Sequence, residues 1–272
     1  MTDERNDNGE RSLAAALRTF IAEARRTPRD VTTVFLTIAA LGILSVHVGS
    51  KRFFTEQWYS VLGADPLFEL YQYLYWFGSE FVVYFLLPLL VIVLIHRRPL
   101  RGFGLGVGDW RFGLKISALF YLVMLPILWV VSDMPMFQQV YPHAASVRGD
   151  WTLFLLYEGA FLLYFIGWEF IWRGYTVFGL APHTGPAVAV FVQMIPFVIL
   201  HYGKPLPETI GSIAAAIALG ALSLRVRSFW YAVLIHWSVM LTIDLLSTLR
   251  FRSGAHGIGI EALRAIFSLL GA

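Results

Sequence analysis

Seven apolar runs organise the 272-residue sequence, at roughly 31–49, 70–95, 113–132, 152–178, 187–203, 207–224 and 229–249. Each is near the ~20 residues that a helix needs to cross the hydrocarbon of a bilayer. Composition points the same way, with 57% apolar residues and 14% charged ones. A soluble domain carries about 25% charge, so this chain cannot cover a water-facing surface. Disorder, collagen, a coiled coil and a nucleic-acid arm are excluded with it. The expected fold is an all-α polytopic membrane protein with about seven transmembrane helices, six to eight. Within 207–224, Ser212, Ala216 and Gly220 fall four apart, a spacing that lets another helix approach closely. The stretches 51–69 and 253–272 are expected to lie in the interface.

Residues 1–30 hold 12 of the 21 Lys and Arg and 18 Asp and Glu residues, and no cleavable signal peptide is expected there. Leu13, Leu17, Phe20, Ile21 and Ala24 recur at helical spacing with Arg11, Arg18, Arg25 and Arg26 elsewhere on the surface. That pattern suits a helix on an anionic membrane face or a solvated amphipathic helix. Four regions follow: an amphipathic tail (1–30), N-terminal transmembrane helices (31–149), a core (150–249) and an amphipathic C-terminal tail (250–272). Short-loop Lys and Arg are richest in the N-tail, the 96–112 loop and the 225–228 turn, which predicts a cytoplasmic N-terminus. The chain has no cysteine, so thiolate metal sites and a cysteine nucleophile are excluded. The glycine-rich stretch 102–108 lacks the Lys-Ser/Thr ending of a phosphate loop and reads as a flexible connector.

Ionisable groups inside apolar spans are costly and therefore candidates for function. They are His47, Glu80, Lys115, Glu158, Glu169, Arg173, His201, His236 and Asp244. His47 and Lys115 lie near span ends and can reach the interface, and Glu80 reads best as a structural hydrogen-bonding group. Glu169 and Arg173 stand four apart in the order that favours pairing on one helix. Glu158 lies three turns before Glu169, which predicts one shared face for the two carboxylates.

Glu169 and His201 are equidistant from Gly185, in the turn between two runs, so an antiparallel hairpin sets them level. A third helix brings His236 and, two turns on, Asp244. A carboxylate beside imidazoles can take a proton from water and return it to a leaving amine, while imidazole stabilises an oxyanion. Two His and one Glu are equally a common catalytic zinc shell, which makes His201, His236 and Glu169 candidate metal ligands and zinc a candidate cofactor. The spacing does not decide between these.

Three motifs stand in order on successive apolar segments: Trp168-Glu169-Phe170-Ile171-Trp172-Arg173, Phe197 to His201 (Phe-x-x-x-His), and His236 with Met240. Over about 150–248 the chain resembles the CPBP family of intramembrane proteases, which includes type II CAAX prenyl endopeptidases and bacteriocin-processing or immunity proteins. The family pattern has Glu-Glu-x-x-x-Arg in the first motif and His-x-x-x-Asn in the third. Here Trp168 replaces the first Glu, and the chain's asparagines, Asn6 and Asn8, both lie in the tail. The Lys204-Pro205-x-x-Glu208 cluster is similar to a variant of some bacterial members.

The resemblance implies an intramembrane endopeptidase of a prokaryotic cytoplasmic membrane, with the bilayer and a hydrophobic or membrane-anchored peptide as partners and no nucleic acid. It implies Glu169 as general base, His201 assisting, His236 binding the oxyanion or a metal, Asp244 orienting a partner and Arg173 fixing the charge of Glu169. Phe197, Glu158 and Lys204 are the expected substrate-binding residues. The alternatives are a non-catalytic binding or immunity protein of the same fold, and a transporter with Glu80, Glu158 and Asp244 as a proton relay.

Overall fold

The computed structural model describes the backbone of residues 4–270 and the side chains of residues 13–269, so the Arg11 side chain lies outside the described residues. Among the described residues the chain is helical, without strands. The long helices are α1 (Glu4–Arg26), α2 (Arg29–Leu62, broken at Ser50), α3 (Phe68–His96) and α4 (Trp110–Val131). They are followed by α5 (Trp151–Thr184), α6 (Pro186–Ile199), α7 (Leu206–Val226), α8 (Trp230–Ser253) and α9 (Ile260–Leu270). Six of them, α2–α5, α7 and α8, are long and apolar enough to cross a membrane. The chain is therefore a multi-pass membrane protein.

The seventh expected span differs. α6 has 14 residues, about 21 Å at 1.5 Å per residue, against a hydrocarbon core of about 30 Å. The chain leaves the helix because Gly203 takes a left-handed conformation (φ +88°) and Pro205 cannot continue the hydrogen-bond ladder. His201 consequently sits in a turn just past the end of α6, partway through the bundle rather than inside a long span.

Several helix starts are written locally. Asp150 opens α5 by accepting the amides of Thr152 and Leu153 (2.7 and 3.0 Å), and Asp109 accepts that of Phe112 at the start of α4. Ser50 caps the second half of α2 through Phe53 N. That half, Lys51–Leu62, exposes Trp58 and Tyr59. α1 likewise leaves Leu13, Leu17, Phe20 and Ile21 exposed.

Between helices in lipid the hydrophobic driving force is weak, so close contact and hydrogen bonds must hold the bundle. α3 packs along α5, α7 along α6, and α4 and α5 along α8. A Cβ on Gly167 would lie 2.7 Å from the Glu80 carbonyl oxygen, so α5 meets the backbone of α3 there. Ser212, Ala216 and Gly220 are the face of α7 that receives α6, and Gln193 Nε2 donates to Ala216 O (2.9 Å). Phe77 stacks on Phe161 at 4.5 Å in the core between α3 and α5.

The 102–108 connector is not loose, contrary to expectation. Phe229 N donates to Gly104 O (3.1 Å), Trp230 Nε1 to Leu105 O (3.1 Å) and the Tyr231 hydroxyl to Val107 O (2.7 Å). A Cβ on Gly108 would fall 1.8 Å from Val226 O. Glycine lets this segment press directly on the turn between α7 and α8, which fixes the start of the helix that carries His236.

Candidate active site

The site begins where α5 widens into a π-type turn over Phe170–Thr176, directly after Glu169. Such turns are frequent at functional sites because they re-aim the side chains that flank them. Glu169 and Arg173 are both fully enclosed, at 0% exposure. Arg173 Nη1 lies 3.2 Å from Glu169 Oε2 and donates to Oε1 at 3.3 Å. Its guanidinium stacks 4.0 Å above the Phe197 ring of α6, a face that attracts cations. The ion pair predicted from the four-residue spacing is present.

The main partner of Glu169 is His236 of α8, whose Nδ1 donates to Oε1 at 2.6 Å. Phe165 packs on the His236 ring (4.5 Å). His201 turns its Nδ1 to Phe197 O (2.7 Å) and stacks near the Phe197 ring (4.5 Å). A carbonyl oxygen only accepts, so that nitrogen carries the proton and Nε2 keeps its lone pair. Neither histidine uses Nε2 in a bond to a described residue. The hairpin register holds: around Gly185 (φ +84°) the chain reverses, and Trp168 comes to face His201 at 6.4 Å. What the register could not say is that the Glu169 carboxylate turns to His236.

Two cavities meet at these residues. The larger, about 660 Å³, is lined by Lys51, Trp76, Glu80 and Trp168 among others, and the smaller, about 410 Å³, by Tyr141, Phe197 and Ser212 among others. Four residues belong to both: His201, Glu208, His236 and Met240. Met240 thus presents a thioether where the family pattern has an asparagine amide. Glu169 and Arg173 line neither cavity.

Asp244 and Glu158 are elsewhere. They lie beside one another between α5 and α8, at 0% and 3% exposure. Glu158 therefore does not join Glu169 despite the three-turn spacing, because α8 approaches α5 at both levels and supplies a different partner at each. Phe197 is 1% exposed and serves as the aromatic floor beneath Arg173 and His201. Glu80 accepts Ser45 Oγ (2.6 Å) and Trp76 Nε1 (3.2 Å).

Lys204 donates to His143 Nε2 (2.7 Å) and to the Tyr141 hydroxyl (3.2 Å), and His143 Nδ1 donates to Val140 O (2.9 Å). Burial pushes the Lys204 ammonium below the usual lysine range. Burial, and then the Lys204 charge, hold His143 well below the usual histidine value. The Tyr141 hydroxyl in turn donates to Glu208 Oε2 (2.5 Å). Glu208 is the residue whose place at the cavity junction the sequence did not disclose, although it stands in the quoted Lys-Pro-x-x-Glu cluster.

For zinc, the expected donors were Glu169, His201 and His236. Among the described residues no three His, Asp or Glu side chains converge where they could hold one ion. Glu169 meets the Nδ1 side of His236, whereas the free nitrogen of that ring is Nε2. In this arrangement the set does not fit a zinc ion.

Residues 150–242 match the family model for Rce1-like proteins, type II CAAX prenyl endopeptidases. This segment is similar to that family. It agrees with the CPBP resemblance of the motifs. The matched segment contains Glu169, Arg173, His201, Glu208, His236 and Met240 and ends two residues before Asp244. No curated protein and no solved structure matches the chain.

Proposed function

We propose that the chain is an intramembrane endopeptidase that hydrolyses a peptide bond of a hydrophobic or membrane-anchored protein in a prokaryotic cytoplasmic membrane, with its N-terminus on the cytoplasmic side. The observation that carries this reading is the 2.6 Å bond between Glu169 and His236, placed behind a cavity wall that His236 shares with His201. A carboxylate on Nδ1 fixes the tautomer and supports positive charge on the ring, so that Nε2 can hold a proton toward a developing oxyanion. Arg173 keeps Glu169 charged for that task. His201, with its lone pair on Nε2, orients the water. The role expected for Glu169, base toward water, passes to a group that faces the cavity, since Glu169 is enclosed.

The test is cleavage of a quenched-fluorescent library of membrane-spanning peptides by protein in nanodiscs. Glu169→Gln and His236→Ala should each lower the rate by about 100-fold or more while the variants remain folded. A wild-type protein that cuts no peptide would favour the non-catalytic binding reading, which the tryptophan at 168 and the methionine at 240 support. Folded variants at the wild-type rate would remove Glu169 and His236 from the mechanism.

A further inference from the structure

Peptide hydrolysis needs a group that removes a proton from water, and the residues of the first motif do not supply one to the cavity. Position 168 is an aromatic ring stacked on Tyr164 at 5.7 Å, and Glu169 is closed off behind His236. Two carboxylates line the larger cavity, Glu80 and Glu208. Glu80 has one oxygen bonded to Ser45 and Trp76, its other oxygen is buried, and it does not line the smaller cavity.

Glu208 lines both cavities, on the wall it shares with His201 and His236. Its Oε2 is fixed by the Tyr141 hydroxyl, and its Oε1 bonds to no described residue. Tyr141 is itself held at two points, by Lys204 Nζ on its hydroxyl (3.2 Å) and by Arg148 Nη2 on its carbonyl (2.8 Å). The first turn of α7 is tied to the histidine by Thr209 Oγ1, which donates to His201 O (3.2 Å). One carboxylate oxygen is therefore clamped, and the other bonds to no described residue on a residue that lines both cavities together with His201.

We propose that Glu208 is the general base of this site, a catalytic residue that takes over the task expected of the enclosed Glu169. The proposal rests on the endopeptidase reading. The Glu208 carboxylate removes one proton from the water that His201 orients, as the water oxygen bonds to the scissile carbonyl carbon. The C–N bond then breaks, the nitrogen takes that proton from Glu208, and the products are a carboxylic acid and an amine with Glu208 returned to its carboxylate form.

The experiment uses full-length protein in nanodiscs with the same peptide library. Glu208→Ala should lower kcat by about 100-fold with KM within a factor of about three, and added formate should restore at least a tenth of the lost rate by entering the vacated space. Glu80→Gln should stay near the wild-type rate. A folded Glu208→Ala that keeps kcat within about threefold, or one that loses activity without formate rescue, overturns the assignment. Should Glu208→Ala not fold, Glu208→Gln, which retains an acceptor for Tyr141, decides by the same change in kcat. If Glu169→Gln and His236→Ala abolish cleavage while the Glu208 variants do not, the Glu208 assignment alone fails. If none of these changes matters, the site assigned to Glu169, His236 and Glu208 fails as a whole, and if the wild type cuts nothing the endopeptidase reading fails with it.

Discussion

Nδ1 of His236 lies 2.6 Å from Oε1 of Glu169, across 67 residues of chain and between two membrane-spanning helices. Arg173 sits on the other side of the same carboxylate. Three groups that lipid would not tolerate singly thus lie against one another, although Arg173 Nε and Nη2 find no hydrogen-bond partner among the described residues, and the imidazole is the one turned to the cavity. The arrangement makes distinct demands on stability and on catalysis, which can be separated.

Glu169→Ala leaves the enclosed Arg173 charge without its partner. We expect a loss of about 3–5 kcal/mol, read as a lower melting temperature in nanodiscs. Glu169→Gln combined with Arg173→Met should recover much of that stability and none of the cleavage activity. Recovery of both would show that the ion pair has a structural role alone.

Gly167→Ala brings a methyl group within 2.7 Å of the Glu80 carbonyl oxygen. Backbone cannot yield as a side-chain tip can, so α3 and α5 must separate at a cost of about 1–3 kcal/mol. The adjacent Trp168 and Glu169 move with α5. Peptide cleavage should fall along with the melting temperature, and Gly159→Ala, on the same helix with open space around it, is the matched control.

His143 accepts from Lys204 and must stay neutral to do so. Its folded pKa is depressed below the ordinary 6.5, so the unfolded chain binds the proton more readily. Stability therefore rises with pH up to about 6.5 and is lost as pH falls below it. Melting temperatures between about pH 5 and 7.5 should show this slope. His143→Phe, which keeps a ring against Tyr141 and Tyr73, should flatten it. An unchanged slope in the variant would move the effect to another group.

Trp168→Glu restores the first residue of the family motif, yet it should not raise activity. The Trp168 ring packs on Tyr164, Trp172 and Phe197 at 5.7, 5.9 and 5.7 Å. Its removal leaves a void worth about 3–5 kcal/mol. A lower melting temperature with no gain in cleavage rate is the expected result, and a faster enzyme would argue that Glu208 is not the working base.

The apolar runs alone determined the solvent and the class of fold, because run length against bilayer thickness is a local property of the sequence. Local spacing also determined the Glu169–Arg173 pair and the level meeting of α5 and α6 near Gly185. It could not determine which way a carboxylate turns. Glu158 and Glu169 share a face by spacing, yet one meets Asp244 and the other His236, since α8 crosses α5 with different residues at each depth. Nor could periodicity shorten 187–203 to the 14-residue α6, a stop set by the turn at 200–205. Most of all, only tertiary packing brings Glu208, from the first turn of α7, to the cavity wall beside both histidines. Sequence fixes what each helix carries; the rotation and depth at which helices pack decide which of those groups can reach water and substrate.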